Sequence, residues 1–151
     1  MIQRPRIPAI ATLLLVLAGG VFFLMTLRKD AAASDAQLAA LQQAIAQPDA
    51  PAETWIRYAD KLFAMGQHAR AAVAYRRVLE GDPYNKQARL QCAMSLAALG
   101  RPDDFFTFLK STLLLDPRLT LNIMGRPEVS PYLAEARFQA LQKDAVAQSL
   151  D

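Results

Sequence analysis

Residues 52–85, AETWIRYADKLFAMGQHARAAVAYRRVLEGDPYN, and residues 86–119, KQARLQCAMSLAALGRPDDFFTFLKSTLLLDPRL, are one thirty-four-residue unit written twice. In register, Ala59 recurs as Ala93, Leu62 as Leu96, Gly66 as Gly100, Asp82 as Asp116 and Pro83 as Pro117. Each unit reads as two helices. Apolar residues at spacings of three and four run up to a glycine, which supplies a tight turn. A second such run ends at Asp-Pro, where the proline ring cannot continue the helix. Ala59 and Ala71 are small where the two helices would cross closely, and Trp55 and Tyr75 are large enough to fill the space beside that crossing. The expected fold is all-α.

The pattern Trp55-x-x-Tyr58-Ala59-x-x-Leu62-x-x-x-Gly66 resembles the first helix of a tetratricopeptide repeat, with Tyr58 in place of the usual leucine. Ala71-x-x-x-Tyr75-x-x-Val78 with Asp82-Pro83 after it resembles the second helix and stop, and a period of 34 belongs to that family. The second unit keeps Cys92, Ala93, Leu96, Gly100, Leu109 and Pro117 but sets Arg89 where Trp55 stood and Phe105 where Ala71 stood. A phenylalanine at a close crossing either splays the hairpin or reaches out of it. The resemblance implies a protein-binding α-solenoid whose groove is lined by Ile56, Asp60, Phe63, Leu90, Met94 and Ala97. Some arrays of the family grip a terminal carboxylate, but Ile56 and Asp60 occupy two of the places this requires. The groove instead suits an amphipathic helix or an extended apolar segment, unless the chain's own C-terminal helix fills it.

On both flanks the sequence predicts caps, which repeat arrays need because each unit exposes an apolar face. Residues 30–51 form a linker and an N-terminal capping helix. It starts at Ser34-Asp35, carries Leu38, Leu41 and Ile45, and is ended by Pro48, Asp49 and Pro51. A third unit fails, because Ala93 plus one period is Pro127. Residues 120–151 form the C-terminal cap: a short helical piece reaches Met124, then Ser130-Pro131 opens a last helix with Leu133, Phe138 and Leu141 inward. Phe105, Phe106, Phe108, Leu109, Thr112, Leu113 and Leu115 make half of one helix apolar, with Leu114 on the far side. Either the last helix covers this excess, or Phe105, Phe106 and Phe108 form a second interface of the aromatic kind.

Residues 7–27 carry no charge and lie between Arg4 and Arg6 on one side and Arg28-Lys29 on the other. About 20 apolar residues in a helix span a bilayer, so residues 1–29 read as a single-pass transmembrane anchor. The competing reading is a cleavable signal peptide ending near Ala31-Ala32-Ala33, but its apolar core would be shorter. The basic residues of the two flanks nearly balance, and the short N-terminus goes to the cytoplasm, leaving the repeats periplasmic. Past Lys29 there are 13 basic residues against 14 acidic ones, interspersed, which offers nucleic acid no footprint.

Chemistry is sparse. Cys92 is the sole cysteine and His68 the sole histidine, so neither a disulfide nor a paired metal site is expected. Asp103-Asp104 come directly after Pro102, where carboxylates favour the positive end of a helix dipole. We expect no enzyme, no cofactor and no small-molecule substrate. Anchored short arrays of this kind resemble modules of bacterial cytochrome c maturation and envelope assembly. That resemblance implies a scaffold or assembly factor in the inner membrane, or alternatively a permanent small subunit of a respiratory or photosynthetic complex.

Overall fold

The computed structural model describes residues 32–150, and every regular element among them is helical. The chain divides into two compact units, Met1–Ala40 and Leu41–Asp151. The anchor at 7–27 lies outside the described residues. Among those described, no helix is long and apolar enough to cross a membrane. In the first unit residues 32–40 are helical, and residues 41–45 of the second continue that helix, α1 (32–45). Ser34-Asp35 is therefore not its start: Ala32 and Ala33 are already helical, as good helix formers with no glycine or proline to break them. Turns at 46–49, around Pro48, end it.

The next four helices form two hairpins: α2 (Ala52–Ala64), α3 (His68–Gly81), α4 (Lys86–Ala98) and α5 (Pro102–Leu115). Residue chemistry sets each boundary. At the end of α2, Gly66 takes φ +72. Its N–H reaches the Phe63 carbonyl at 2.9 Å, and the Gln67 N–H reaches Leu62 at 2.9 Å. Those two bonds are a Schellman closure, which requires a left-handed residue at that point. Gly100, at φ +64, closes α4 in the same place of the unit. Asn85 caps α4 by accepting the Ala88 N–H at 3.0 Å. Pro102 sits in the first turn of α5 with Asp103 and Asp104, and Arg101 pairs with Asp104 at 2.8 Å.

Small residues sit at the centre of the packing. Ala59, Leu62, Ala71 and Tyr75 are fully buried where α2 and α3 meet, and Ala88, Cys92 and Ala93 are fully buried on α4. Helix α4 packs along α3 about as extensively as α2 does, whereas α4 and α5 touch less. Phe105 stands at this crossing. It is fully buried, but it stacks on Tyr132 with centroids 4.8 Å apart and planes 18° apart. The ring thus reaches beyond the α4–α5 crossing to the C-terminal segment.

That segment is α6 (Pro117–Met124), a 3₁₀ turn (Pro127–Tyr132) and α7 (Ala136–Ser149). Asp116 ends α5 and at once caps α6, accepting the Leu119 N–H at 2.8 Å and pairing with Lys86 at 2.8 Å. First Lys86 and then the Leu119 N–H hold its carboxyl below the usual Asp range. A depressed folded pKa contributes stability above the unfolded value of about 3.8 that is lost as pH falls through the folded one. Acid titration below about pH 4 should therefore destabilise the wild-type chain more steeply than an Asp116→Asn variant. Urea midpoints at pH 3 and pH 6 check this, and equal pH dependence would remove the assignment.

The last helix departs from the sequence expectation. Ser130-Pro131 lie inside the 3₁₀ turn, and α7 begins six residues after Ser130 with Glu135 at its N-cap position. Pro127 and Pro131 remove two amide donors four residues apart, which favours a short tight turn over a full helix start. Leu133 is consequently 50% exposed, while Val129 and Tyr132 are buried, as are Phe138 and Leu141.

Candidate functional site

The six groove positions do not form one open face. Ile56 is buried, Met94 is 3% exposed and Ala97 is 5% exposed, while Asp60, Phe63 and Leu90 are half-buried. The covering comes from the chain itself. Helix α6 and the 3₁₀ turn both pack on α4, and the Tyr132 hydroxyl donates to the Ala97 carbonyl at 3.1 Å. A charge at Met94 would thus disturb the core as well as any groove.

The residues left at the surface are partly engaged. Asp60 accepts a hydrogen bond from the Tyr75 hydroxyl. Burial first, and the Asp60 bond second, hold the Tyr75 phenol far above its ordinary range, so the proton stays on the tyrosine. Asp60 is therefore an internal acceptor across the α2–α3 crossing. Phe63 meets the edge of His68 at 4.9 Å between centroids. The His68 Nδ1 is buried without a hydrogen-bond partner. His68 is half-buried at the start of α3, so it packs more than a surface residue would.

Of the proposed aromatic interface, Phe105 and Phe106 are buried and Phe108 is half-buried. Tyr132 lies edge-on to Phe106 at 5.7 Å, and the Arg137 guanidinium sits 4.2 Å from the centre of the Phe106 ring. Arg137 also pairs with Asp103 at 2.7 Å and Glu135 at 2.6 Å, clipping α7 to the start of α5. Two of the three rings are thus spent inside the fold, because the C-terminal segment supplies the aromatic and cationic partners they need. Leu114, by contrast, is 82% exposed.

Arg89 has a role that residue type alone did not show. It stands at the tryptophan position of the repeat, yet it is buried. Its Nε and Nη2 donate to the Pro83 carbonyl at 3.0 and 2.7 Å, and Nη1 donates to Thr112 Oγ1 at 3.3 Å. The guanidinium lies 5.6 Å from the Phe108 centroid. Burial lowers its pKa from the usual arginine value. A fork of donors here ties the inter-repeat loop to α5. The inward role of Tyr132 is equally invisible in residue type. Its one signal is the Pro127-x-x-x-Pro131 spacing, which marks a tight turn able to aim one side chain inward.

Cys92 is fully buried with its thiol 3.8 Å from the Ala72 carbonyl, and burial pushes its pKa up to about 11. Such a thiol packs as an apolar group and is a poor nucleophile. No group of histidine, cysteine and carboxylate residues that could hold a metal ion occurs among the described residues. The arrangement presents surfaces and packed aromatics.

Compared with known families, residues 62–119 match the model of the tetratricopeptide repeat. The match runs from Leu62, late in α2, to Leu119 in α6, and covers both glycine turns and both Asp-Pro stops. No curated protein and no solved structure matches the chain.

Proposed function

We propose that this chain is a non-catalytic protein-interaction module held in a bacterial inner membrane by residues 7–27. Its repeats lie on the periplasmic side and serve as a scaffold or assembly factor for an envelope complex, of which cytochrome c maturation is one instance. The observation that carries the reading is the pair of helical hairpins in a 34-residue register, of which residues 62–119 match the tetratricopeptide repeat model. Supporting it, Phe63 and Leu90 keep apolar surface exposed on the first helix of each unit. These two, with Asp60 one turn before Phe63 on α2, are the contact positions we retain from the groove.

Two experiments test the reading. In alkaline carbonate extraction the full chain should stay with the membrane pellet, and deletion of residues 1–29 should move it to the supernatant. A full chain released by carbonate would refute the anchor. A photo-crosslinking residue at position 63 in intact membranes should yield defined protein adducts by mass spectrometry, and a crosslinker at exposed Gln142 should not. No adduct beyond the Gln142 background would refute the interaction role. A partner found stoichiometric in mature complexes would identify a permanent subunit.

A further inference from the structure

Helix α3 presents Ala69, Arg70, Val73 and Arg77 at helical spacings, all exposed, with Val73 68% exposed. Beside this face lies a cavity of about 390 Å³ lined by Ile45, Trp55, Tyr58, Ala69, Arg70, Val73 and Ala74. It shares Ile45 and Trp55 with a second, wider hollow of about 720 Å³ that runs past Pro48 and Ala50 to Gly81. The wider hollow is also lined by Arg77, Glu80 and Asp82, with Arg77 paired to Glu80 at 2.5 Å, so the smaller cavity is the apolar cleft, with Trp55 in its lining. Ala69 and Ala74 add only methyl groups to the wall of the smaller cavity, and Trp55, which lines both, is half-buried.

Arg70 is the one charged residue lining the smaller cavity. Its Nη2 donates to the Tyr58 hydroxyl at 2.8 Å and its Nη1 to Gln67 Oε1 at 2.5 Å. Both acceptors are neutral, and no carboxylate among the described residues pairs with it. A guanidinium bonded only to neutral groups keeps a positive charge and further donors with which a carboxylate can pair. An apolar cavity of this size with Trp55 in its lining takes one or two bulky side chains.

We infer that this cleft receives a segment of a protein partner that carries a large apolar side chain and, about one helical turn away, a carboxylate. The apolar group enters between Trp55 and Val73, and the carboxylate closes on Arg70. The inference rests on the interaction role proposed above but places the contact on a cavity that Phe63 does not line.

Trp55 is the only tryptophan of the chain, so its emission reports this cleft directly. A random dodecapeptide library displayed on phage would be panned against the full chain in detergent micelles, with Arg70→Glu and Val73→Asp chains in parallel. Both side chains are at the surface, so the variants should fold, as circular dichroism would verify. The wild-type chain should enrich peptides pairing Leu or Phe with Asp or Glu three or four residues away. Synthetic copies should shift Trp55 emission saturably. Arg70→Glu should weaken them about tenfold or more, with Arg70→Lys in between. Enriched peptides without acidic residues, equal binding by Arg70→Glu, or no movement of Trp55 emission would overturn the cleft. If the adducts formed through position 63 survive while the cleft fails, the interaction role stands and this surface alone falls.

Discussion

Ala59→Trp should unfold the first hairpin and lower the thermal midpoint by about 10 °C or more. Ala59 is fully buried at the α2–α3 crossing, with Leu62, Ala71 and Tyr75 fully buried around it. Close-packed interiors have no spare volume for an indole, and overpacking costs about 1–3 kcal/mol, more where helices must separate. Here they must, because the Tyr75 hydroxyl is fixed to Asp60 and cannot yield without breaking that bond. Ala64→Trp, exposed at the end of the same helix, should melt like the wild type. Equal melting of the two variants would show that α2 and α3 do not cross at Ala59.

Tyr132→Ala should remove about 3–4 kcal/mol, as truncation of a buried aromatic does. The ring stacks on Phe105, meets Phe106 edge-on and donates to the Ala97 carbonyl. Tyr132→Phe keeps both ring contacts and loses only the hydroxyl bond, so about 1 kcal/mol is expected. The alanine variant should also bind a hydrophobic dye strongly, because Phe105 and Phe106 lose their cover. Urea unfolding separates the two variants. If both lose the same amount, the ring contributes nothing, and the C-terminal cap is held by Arg137 and α7 alone.

Local rules made the hairpins readable. Gly66 and Gly100 mark tight turns, the Asp-Pro pairs mark helix stops, and the alanines mark close crossings; each acts within one or two turns of itself. Sequence was ambiguous where a residue had two locally acceptable environments. Ser130-Pro131 fits a helix start or a 3₁₀ turn, and in the turn that forms Val129 and Tyr132 are buried while Leu133 is half exposed. Asp60 reads as a groove residue by position. Its bond from the Tyr75 hydroxyl, fifteen residues on, is not legible from that position.

The alternatives for Phe105, Phe106 and the groove were open for the same reason. Their surplus apolar surface was plain in the composition of α5, but its occupant was not. The register, the helix pairs and their turns come from the chain's own thirty-four-residue pattern, since helix periodicity and turn chemistry are properties of neighbouring residues. Which faces remain open was decided by tertiary structure alone. Contacts such as Tyr132 with Ala97, thirty-five residues apart, depend on the C-terminal segment folding back over α4. Neither residue's own neighbourhood encodes that return.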